Sequence, residues 1–194
     1  MHLIPADNSV VPVGIEYIAE MIQIAESCNL SIWTSDDYID EINRTDSFGF
    51  VHSANRHNAG DQTKVICGFI LARLIRNFCI VPEENSKESS KTDNFSQIIY
   101  TECEILNIAV QPVAQKKGVG QKLIDATVAE CFHHGVRVIW LEVRKYNENS
   151  IKFYRRNKFD TIYTRKSYYR NPVEDALVMK AELSYPSFYN SAKI

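Results

Sequence analysis

Apolar residues near the start of the chain recur at helical spacing, and further along the spacing changes to that of strands. A first amphipathic helix is predicted by Ile15, Ile18, Ala19, Ile22 and Ala25. The stretch TSDDYIDEI predicts a second helix, with Thr34 or Ser35 as its N-cap and acidic residues in its first turn. FGFVHS and KVICGFILARLI then predict two strands, joined by a turn at NRHNAGDQ.

Two segments break this regular patterning. Residues 82–97 are polar and charged and contain no aliphatic side chain, which predicts a flexible, solvated insertion in a hairpin. A regulatory element is the alternative interpretation of that charge. Residues 184–194 form a short C-terminal tail with no recognisable motif.

The second half alternates strand and helix. IIYTECEILNIAV predicts a long strand, and VRVIWLEV predicts a parallel strand covered on both faces. Between them lies a helix that ends at Gly135, with one apolar face formed by Val119, Leu123, Ile124, Val128, Cys131 and Phe132. NENSIKFYRRN predicts a short helix capped by Asn147 or Asn149, and FDTIYTRKSYY and DALVMKAEL predict closing antiparallel strands. This order implies a mixed α/β sheet.

Composition narrows the function classes. The 194 residues are 45% hydrophobic and 24% charged, which fits a single domain over 1–194 with appendages. A net charge of −2 provides no basic field for nucleic acid or an acidic membrane. The longest apolar stretch has about eleven residues and includes Arg73, so it is too short to span a bilayer.

Cysteine and histidine usage predicts neither disulfides nor a metal site. Five cysteines are widely spaced without a C-x-x-C pair, which favours a reducing compartment. His133 and His134 are adjacent in a predicted helix, and neighbouring helix positions do not face one another. The first ten residues lack the basic and apolar regions of a signal peptide. We expect a soluble cytoplasmic protein.

The hexapeptide QKKGVG, residues 115–120, lies where a strand gives way to a helix. It is not a Walker A loop, and Leu123 stands where a dinucleotide fingerprint needs its third glycine. A helix N-terminus nonetheless presents free amides and a positive dipole end, and glycine lets a phosphate approach the backbone. The residues themselves leave two interpretations open: a phosphate cradle, or a turn with solvated lysines.

Four blocks in order along the chain resemble the GNAT family of acetyl-CoA-dependent N-acetyltransferases, and most closely its RimI-type alanine N-acetyltransferases. The blocks are EILNIAVQP, QKKGVGQKLI, WLEVRKYNENSIKFY and RKSYYRNPVEDALVM, and the resemblance covers about residues 64–180. It implies the GNAT fold: a mixed central sheet with splayed parallel strands and helices on both faces. It implies acetyl-CoA as co-substrate, no metal, and a protein N-terminus as acceptor, with a ribosomal protein as the family's typical acceptor.

The resemblance also implies the cofactor contacts. The family pattern Q/R-x-x-G-x-G/A is met by Gln115, Gly118 and Gly120. The phosphates are expected on the turn formed by Gln115, Lys116, Lys117, Gly118, Val119, Gly120 and Gln121. Ile108, Ala109 and Val110 are expected to contact the pantetheine arm and the acetyl carbonyl. Asn147 matches a family asparagine that contacts the cofactor.

Two residues are candidates for the chemistry. Glu142 lies on an apolar strand, where burial would raise its pKa toward that of a useful general base. The alternative is an ion pair with Arg144, and the family's catalytic glutamate in LEVR favours the base. Tyr154 matches a family tyrosine that acts as the acid toward the leaving thiolate; the alternative is that it is a core residue. No cysteine is evidently placed to accept the acetyl group, so we expect direct transfer in a ternary complex.

The acceptor side is less defined by the sequence. Tyr168 and Tyr169 match a tyrosine pair of RimI-type enzymes and are expected near the peptide groove. The family usually has glycine before Phe159; here Lys158 stands there, and Asn157 is expected to adopt the left-handed cap instead. A small-molecule amine or a lysine side chain is the alternative acceptor, and a binding subunit without activity is the alternative class of protein.

Overall fold

The computed structural model describes residues 9–30, 33–55, 64–82 and 95–184, which form a seven-stranded sheet with four α-helices. The strands are β1 (Val10–Pro12), β2 (Ser47–Asn55), β3 (Lys64–Pro82), β4 (Phe95–Val110), β5 (Val138–Arg144), β6 (Asp160–Arg170) and β7 (Val173–Glu182). The helices are α1 (Ile18–Ser27), α2 (Ser35–Ile42), α3 (Val119–His133) and α4 (Glu148–Arg156), with 3₁₀ turns at Ile15–Tyr17 and Pro112–Ala114.

The sheet is mixed, as predicted. Its strand order is β1-β2-β3-β4-β5-β7-β6, and β4 and β5 are its parallel pair. The other neighbouring strands run antiparallel. The connection from β4 to β5 passes through α3, because parallel strands need a crossover rather than a hairpin.

Two apolar cores lie on opposite faces of this sheet. One is built around α3 and α4, with Leu123, Ile139 and Phe159 fully buried. The other is built around α1 and α2, with Met21 and Tyr38 fully buried. Helices on both faces of the sheet were predicted, and the structure has them.

The first two helices form where the sequence predicts them, with one error in the buried face. Thr34 is the N-cap of α2, and it exchanges hydrogen bonds with Asp37 in a capping box. In α1 the buried residues are Ile18, Met21, Ile24 and Ala25. Ile15 and Ala19 are exposed, because a 3₁₀ turn precedes α1 and rotates the apolar stripe.

The hairpin of β3 and β4 is longer than predicted. The two strands pair continuously out to Pro82 and Phe95, so residues 95–97 belong to β4 and not to a loop. Backbone hydrogen bonds need no apolar side chains, which explains why a hydropathy pattern misses this extension. The rest of the predicted insertion, most of the turn at NRHNAGDQ and the tail after residue 184 lie outside the described residues.

The end of α4 departs from the prediction. Lys158 has a φ of 66°, whereas Asn157 keeps a φ of −90° as the C-cap. The left-handed residue is therefore the lysine that replaces the family's glycine. Asn157 is held in place because its side chain donates to Phe153 O at 3.0 Å and accepts from Gln121. At the end of α3, Gly135 has a φ of 69°, as predicted for a C′ glycine.

Candidate active site

The parallel pair β4 and β5 separates part-way along its length. Pairing runs from Glu102 opposite Val138 to Ile105 opposite Leu141 and ends there. Just beyond, an irregularity in β4 leaves Leu106 without a partner in β3. The backbone of β4 after Ile105 therefore has an edge toward β5 that β5 does not occupy, as the splayed-strand prediction requires.

A cavity of about 590 Å³ lies in this gap, a volume suited to a small ligand. Four of the predicted site residues line it: Ile108, Glu142, Asn147 and Tyr154. The loop between α1 and α2 contributes Leu30 and Trp33 to its wall. The β6–β7 hairpin contributes a further part, including both residues of the predicted tyrosine pair.

The remaining predicted cofactor residues lie outside that lining. The side chain of Ala109 is buried in the α1 and α2 core, so only its backbone is offered to a ligand. The carbonyl oxygen of Val110 accepts hydrogen bonds from Gln115 Nε2 at 3.0 Å and from Cys28 Sγ at 3.2 Å. These bonds tie the end of β4 to the glycine turn and to α1.

The glycine turn begins α3 in a strained backbone conformation. Gly118 is the N-cap with a φ of 87°, and Lys116 has a φ of 60°. The first i→i−4 hydrogen bond is donated by the Lys122 amide to Gly118 O at 3.1 Å, so the amides of Val119, Gly120 and Gln121 precede it. Three outward amides and a positive dipole end suit an anion.

The two glycines of this turn are required for different reasons. A Cβ at Gly118 would meet nothing within 4 Å, so its positive φ accounts for the glycine. A Cβ at Gly120 would lie 3.3 Å from Phe153 Cζ, so close packing of α3 on α4 accounts for the second. Lys116 and Lys117 are exposed, as both interpretations of the hexapeptide allowed.

Glu142 points into the cavity and is ion-paired. It follows the predicted alternation of β5, in which Ile139, Leu141 and Val143 are buried and the intervening residues face the other way. Its carboxylate accepts a hydrogen bond from Arg165 Nη1 on β6. The pair raises the pKa of the Arg165 guanidinium. To act as a base, Glu142 must exchange this bond for one to the acceptor.

The alternative partner considered for Glu142 is wrong. Arg144 shares the face of Glu142, but its guanidinium turns to the β6–β7 hairpin, where it contacts Glu174 at 3.1 Å and Asn171 O at 2.9 Å. It also stacks on the Tyr169 ring, 4.1 Å from the centroid. These contacts occupy the donors of Arg144. Arg165 on β6, two strands away from β5, pairs with Glu142 instead.

Tyr154 is a core residue that also lines the cavity. The side chain is buried against Phe159 in the core, with ring centroids 5.8 Å apart, and it also lines the cavity. Burial is the main reason that its pKa lies above the ordinary value for tyrosine, and a smaller contribution comes from Tyr169. The phenol is therefore kept protonated, which is the state a proton donor needs.

The tyrosine pair lies at the cavity, as expected. A hydrogen bond to Glu142 raises the pKa of Tyr168 to about 12, and burial raises the pKa of Tyr169 to about 12. The two rings meet edge to face with centroids 5.2 Å apart. Arg165 stacks over Tyr168 at 4.7 Å, so Glu142, Arg165 and Tyr168 form one connected group.

Asn147 is the N-cap of α4, and its Oδ1 accepts from the Ser150 amide at 3.1 Å. Asn147 also lines the cavity. Cys28 also lines the cavity, although the sequence placed no cysteine there. Within the described residues no cluster of three His, Cys, Asp or Glu side chains is arranged to hold a metal, and no helix is long and apolar enough to cross a membrane.

Comparison with known proteins decides the family. The sequence model of the Acetyltransferase (GNAT) family matches residues 18–159. The chain belongs to the GNAT acetyltransferase family. In this GNAT chain the match includes the splayed strands, the glycine turn, Glu142 and Tyr154.

Relatives of known name are similar to just under half of this chain. The chain is 34% identical over 91 residues to the [Ribosomal protein bS18]-alanine N-acetyltransferase of Escherichia coli K12, which covers 46% of this chain and 62% of that one. It is 34% identical over 86 residues to the N-alpha-acetyltransferase RimI of Mycobacterium tuberculosis, covering 44% of this chain and 52% of that one. The alignments thus span between half and two thirds of these relatives.

Solved structures share the fold over most of the chain. The ribosomal-protein-S18-alanine N-acetyltransferase from Escherichia coli superimposes with a TM-score of 0.66 at 19% identity, covering 92% of this chain and 95% of that one. Arabidopsis thaliana NAA60 in complex with acetyl-CoA superimposes with a TM-score of 0.69 at 19% identity, covering 90% and 97%. The GNAT fold prediction is therefore confirmed.

Several residues that line the cavity or contact Glu142 were not predicted from the sequence. Trp33 and Cys28 belong to the α1–α2 region, whose sequence carries no family motif. Arg165 reaches Glu142 only because β6 and β7 form a hairpin beside β5. Glu104 carried a detectable signal, since it is a carboxylate on an otherwise apolar strand.

Proposed function

We propose that this chain transfers the acetyl group of acetyl-CoA to the N-terminal α-amine of a protein that begins with alanine or serine. The observation that carries the proposal is the gap between β4 and β5. The gap opens beyond Ile105, and the cavity in it is lined by both Glu142 and Tyr154. The relatives' names, which specify alanine N-acetylation of a ribosomal protein, support an acceptor of that type.

The backbone of β4 and the glycine turn supply the cofactor contacts in this proposal. The amides of Val119, Gly120 and Gln121 hold the diphosphate, and the lysines at 116 and 117 add positive charge. The pantetheine arm lies along the free edge of β4 at Ile108, Ala109 and Val110. Asn147, which lines the cavity, holds the arm from the other side.

The protein groups at the thioester perform proton transfer and positioning. A free α-amine has a pKa near 8, so a modest base near neutral pH produces the nucleophile. Glu142 leaves Arg165 to hold the amine, directly or through a water. Tyr154 gives its proton to the departing thiolate, which its protonated state allows.

Direct transfer is part of the proposal. The Cys28 thiol is the cysteine of the cavity wall, and its proton is engaged with the carbonyl oxygen of Val110. A thiol held in this way is a poor acetyl acceptor because the nucleophile is the thiolate. Replacement of Cys28 by serine is expected to leave the transfer rate unchanged. We also place the reaction in the cytoplasm, in keeping with free thiols at Cys28, Cys67, Cys103 and Cys131.

The test is release of coenzyme A from acetyl-CoA in the presence of peptides. The peptide begins with alanine or serine and carries one internal lysine, and its matched control has the same sequence with a blocked N-terminus. We expect release with the free peptide and none with the control. Equal release with both peptides would show lysine acetylation, and release with polyamines alone would show a small-molecule acceptor; either result would overturn the proposal.

A further inference from the structure

Lys158, between α4 and β6, has a backbone conformation that lysine disfavours. Its φ of 66° lies in the left-handed region, and it stands where the family usually has a glycine. Glycine would adopt this conformation without strain. A strained residue that is kept where glycine would serve the backbone better is a reason to look for a function of its side chain.

The end of α4 packs against the start of α3. A Cβ on Gly120 would lie 3.3 Å from Phe153 Cζ, so these two residues are in close contact. One turn later, Asn157 Oδ1 accepts a hydrogen bond of 2.7 Å from Gln121 Nε2. Lys158 follows Asn157, so their Cα atoms are about 3.8 Å apart. Lys158 therefore lies near the helix start that was proposed to hold the diphosphate.

Positive side chains collect at this junction without acidic partners. Arg156 follows Phe153 by three residues and so shares its side of α4. Arg156 and Lys158 are exposed, as are Lys116 and Lys117 on the glycine turn. Within the described ranges, none of these four cations forms a hydrogen bond or an ion pair. A chain of net charge −2 thus has four uncompensated positive charges near one helix start.

We propose that Lys158, assisted by Arg156, binds the 3′-phosphate on the ribose of acetyl-CoA. This inference rests on the proposed function and assigns a contact for the third phosphate of its co-substrate. Helix amides with Lys116 and Lys117 account for the diphosphate. The 3′-phosphate is a monoester with close to two negative charges at neutral pH, and it needs cations of its own.

This assignment explains why a lysine occupies a strained position. Asn157 is fixed by its bonds to Phe153 O and Gln121, and Phe159 is fully buried, so the residues on both sides hold the backbone of Lys158. A glycine would make the same turn but would provide no charge. The flexible stem of a lysine carries a compact ammonium, which suits a phosphate at the protein surface.

The test measures calorimetric binding of acetyl-CoA and of acetyl-3′-dephospho-CoA, which lacks only the 3′-phosphate. We expect the wild type to bind acetyl-CoA about 10-fold more tightly than the analogue. Lys158→Gly and Lys158→Ala should each raise the Kd for acetyl-CoA about 5–10-fold and leave the Kd for the analogue unchanged. The preference should shrink as ionic strength rises, because exposed charges are screened.

The two substitutions separate charge from strain, since alanine keeps the left-handed strain and glycine removes it. The matched control is Lys152→Ala, which removes an exposed lysine of α4 that pairs with Glu148 at 3.0 Å. It should keep the wild-type preference for acetyl-CoA. Lys158→Arg retains the charge and should keep most of that preference.

Three results would overturn the inference. The wild type could bind both ligands equally, which would mean that the 3′-phosphate is not recognised. Both Lys158 variants could keep the full preference, or could weaken both ligands by the same factor, which would assign Lys158 to the diphosphate or to the fold. A wild type that shows the preference but acetylates no peptide would instead refute the proposed function and leave this contact in place.

Discussion

Replacement of Gly118 by alanine tests whether the turn before α3 binds the cofactor's diphosphate. Gly118 has a φ of 87°, and a Cβ there would meet no atom within 4 Å. The substitution therefore introduces backbone strain and no clash. An L-residue in the left-handed region costs about 1–2 kcal/mol. Because this turn is exposed at a helix end, it can relieve the strain by a local change of conformation.

The expected loss of affinity follows from that cost. If returning the turn to its binding conformation costs about 1–2 kcal/mol, the fraction of molecules able to bind acetyl-CoA falls by about 5–30-fold. The Kd for acetyl-CoA should rise by the same factor in calorimetric titration. The free energy of unfolding should fall by no more than about 1 kcal/mol, since alanine also restricts the unfolded chain.

The matched control lies at the other end of α3. Gly135, just after the C-terminal end of α3, has a φ of 69°, and its Cβ would likewise meet nothing within 4 Å. Gly135→Ala should lower the free energy of unfolding to a similar extent and leave the Kd for acetyl-CoA unchanged. The reasoning is refuted if Gly118→Ala binds acetyl-CoA as tightly as Gly135→Ala and the wild type do.

Further predictions concern the cavity and the end of α4. Glu142→Gln and Tyr154→Phe should each lower kcat by about 10²-fold or more in the peptide assay, with acetyl-CoA affinity retained; full rates would remove the assigned roles. Lys158→Gly should raise the free energy of unfolding by about 0.5–1 kcal/mol in urea titration, because relief of the left-handed strain exceeds the added freedom of the unfolded chain. No change there would mean that Lys158 is unstrained. Glu104→Gln should stabilise the protein at pH 8 and not below the ordinary pKa of glutamate. The raised pKa of Glu104 means that the folded state binds more protons than the unfolded state between the ordinary pKa of glutamate and the raised one. The stability of the wild type therefore falls as pH rises through that range. A stability difference that is independent of pH would contradict this cause.

The sequence predicts the helix ends well because their signals are local. The capping residues Thr34 and Asn147 and the C′ glycine at 135 have side-chain or backbone requirements that act within one turn. The period-two alternation along β5 likewise places Glu142 on the same face as Val138 and Trp140. The face of α1 was less predictable, since a 3₁₀ turn at its start changes the rotation of the helix.

The chemistry of the cavity depends on contacts between distant residues. Arg165 meets Glu142 because β7 lies between β5 and β6, a strand order that no spacing in the sequence reveals. Arg144 appeared to be the partner because only neighbours along one strand are visible in a sequence. The raised pKa of Glu104 depends on Arg73 being committed to Glu41, which is a matter of tertiary packing. At Lys158 the fold imposes a left-handed backbone conformation, with a φ of 66°, that the residue type disfavours.

The most direct measurement of the central claim is a crystal structure of the protein with acetyl-CoA bound. We predict the diphosphate within hydrogen-bond distance of the amides of Val119, Gly120 and Gln121, with the thioester in the gap beyond Ile105 and beside Glu142 and Glu104. Density for the cofactor elsewhere, with the turn at Gly118 empty and Glu142 still paired with Arg165, would contradict the account.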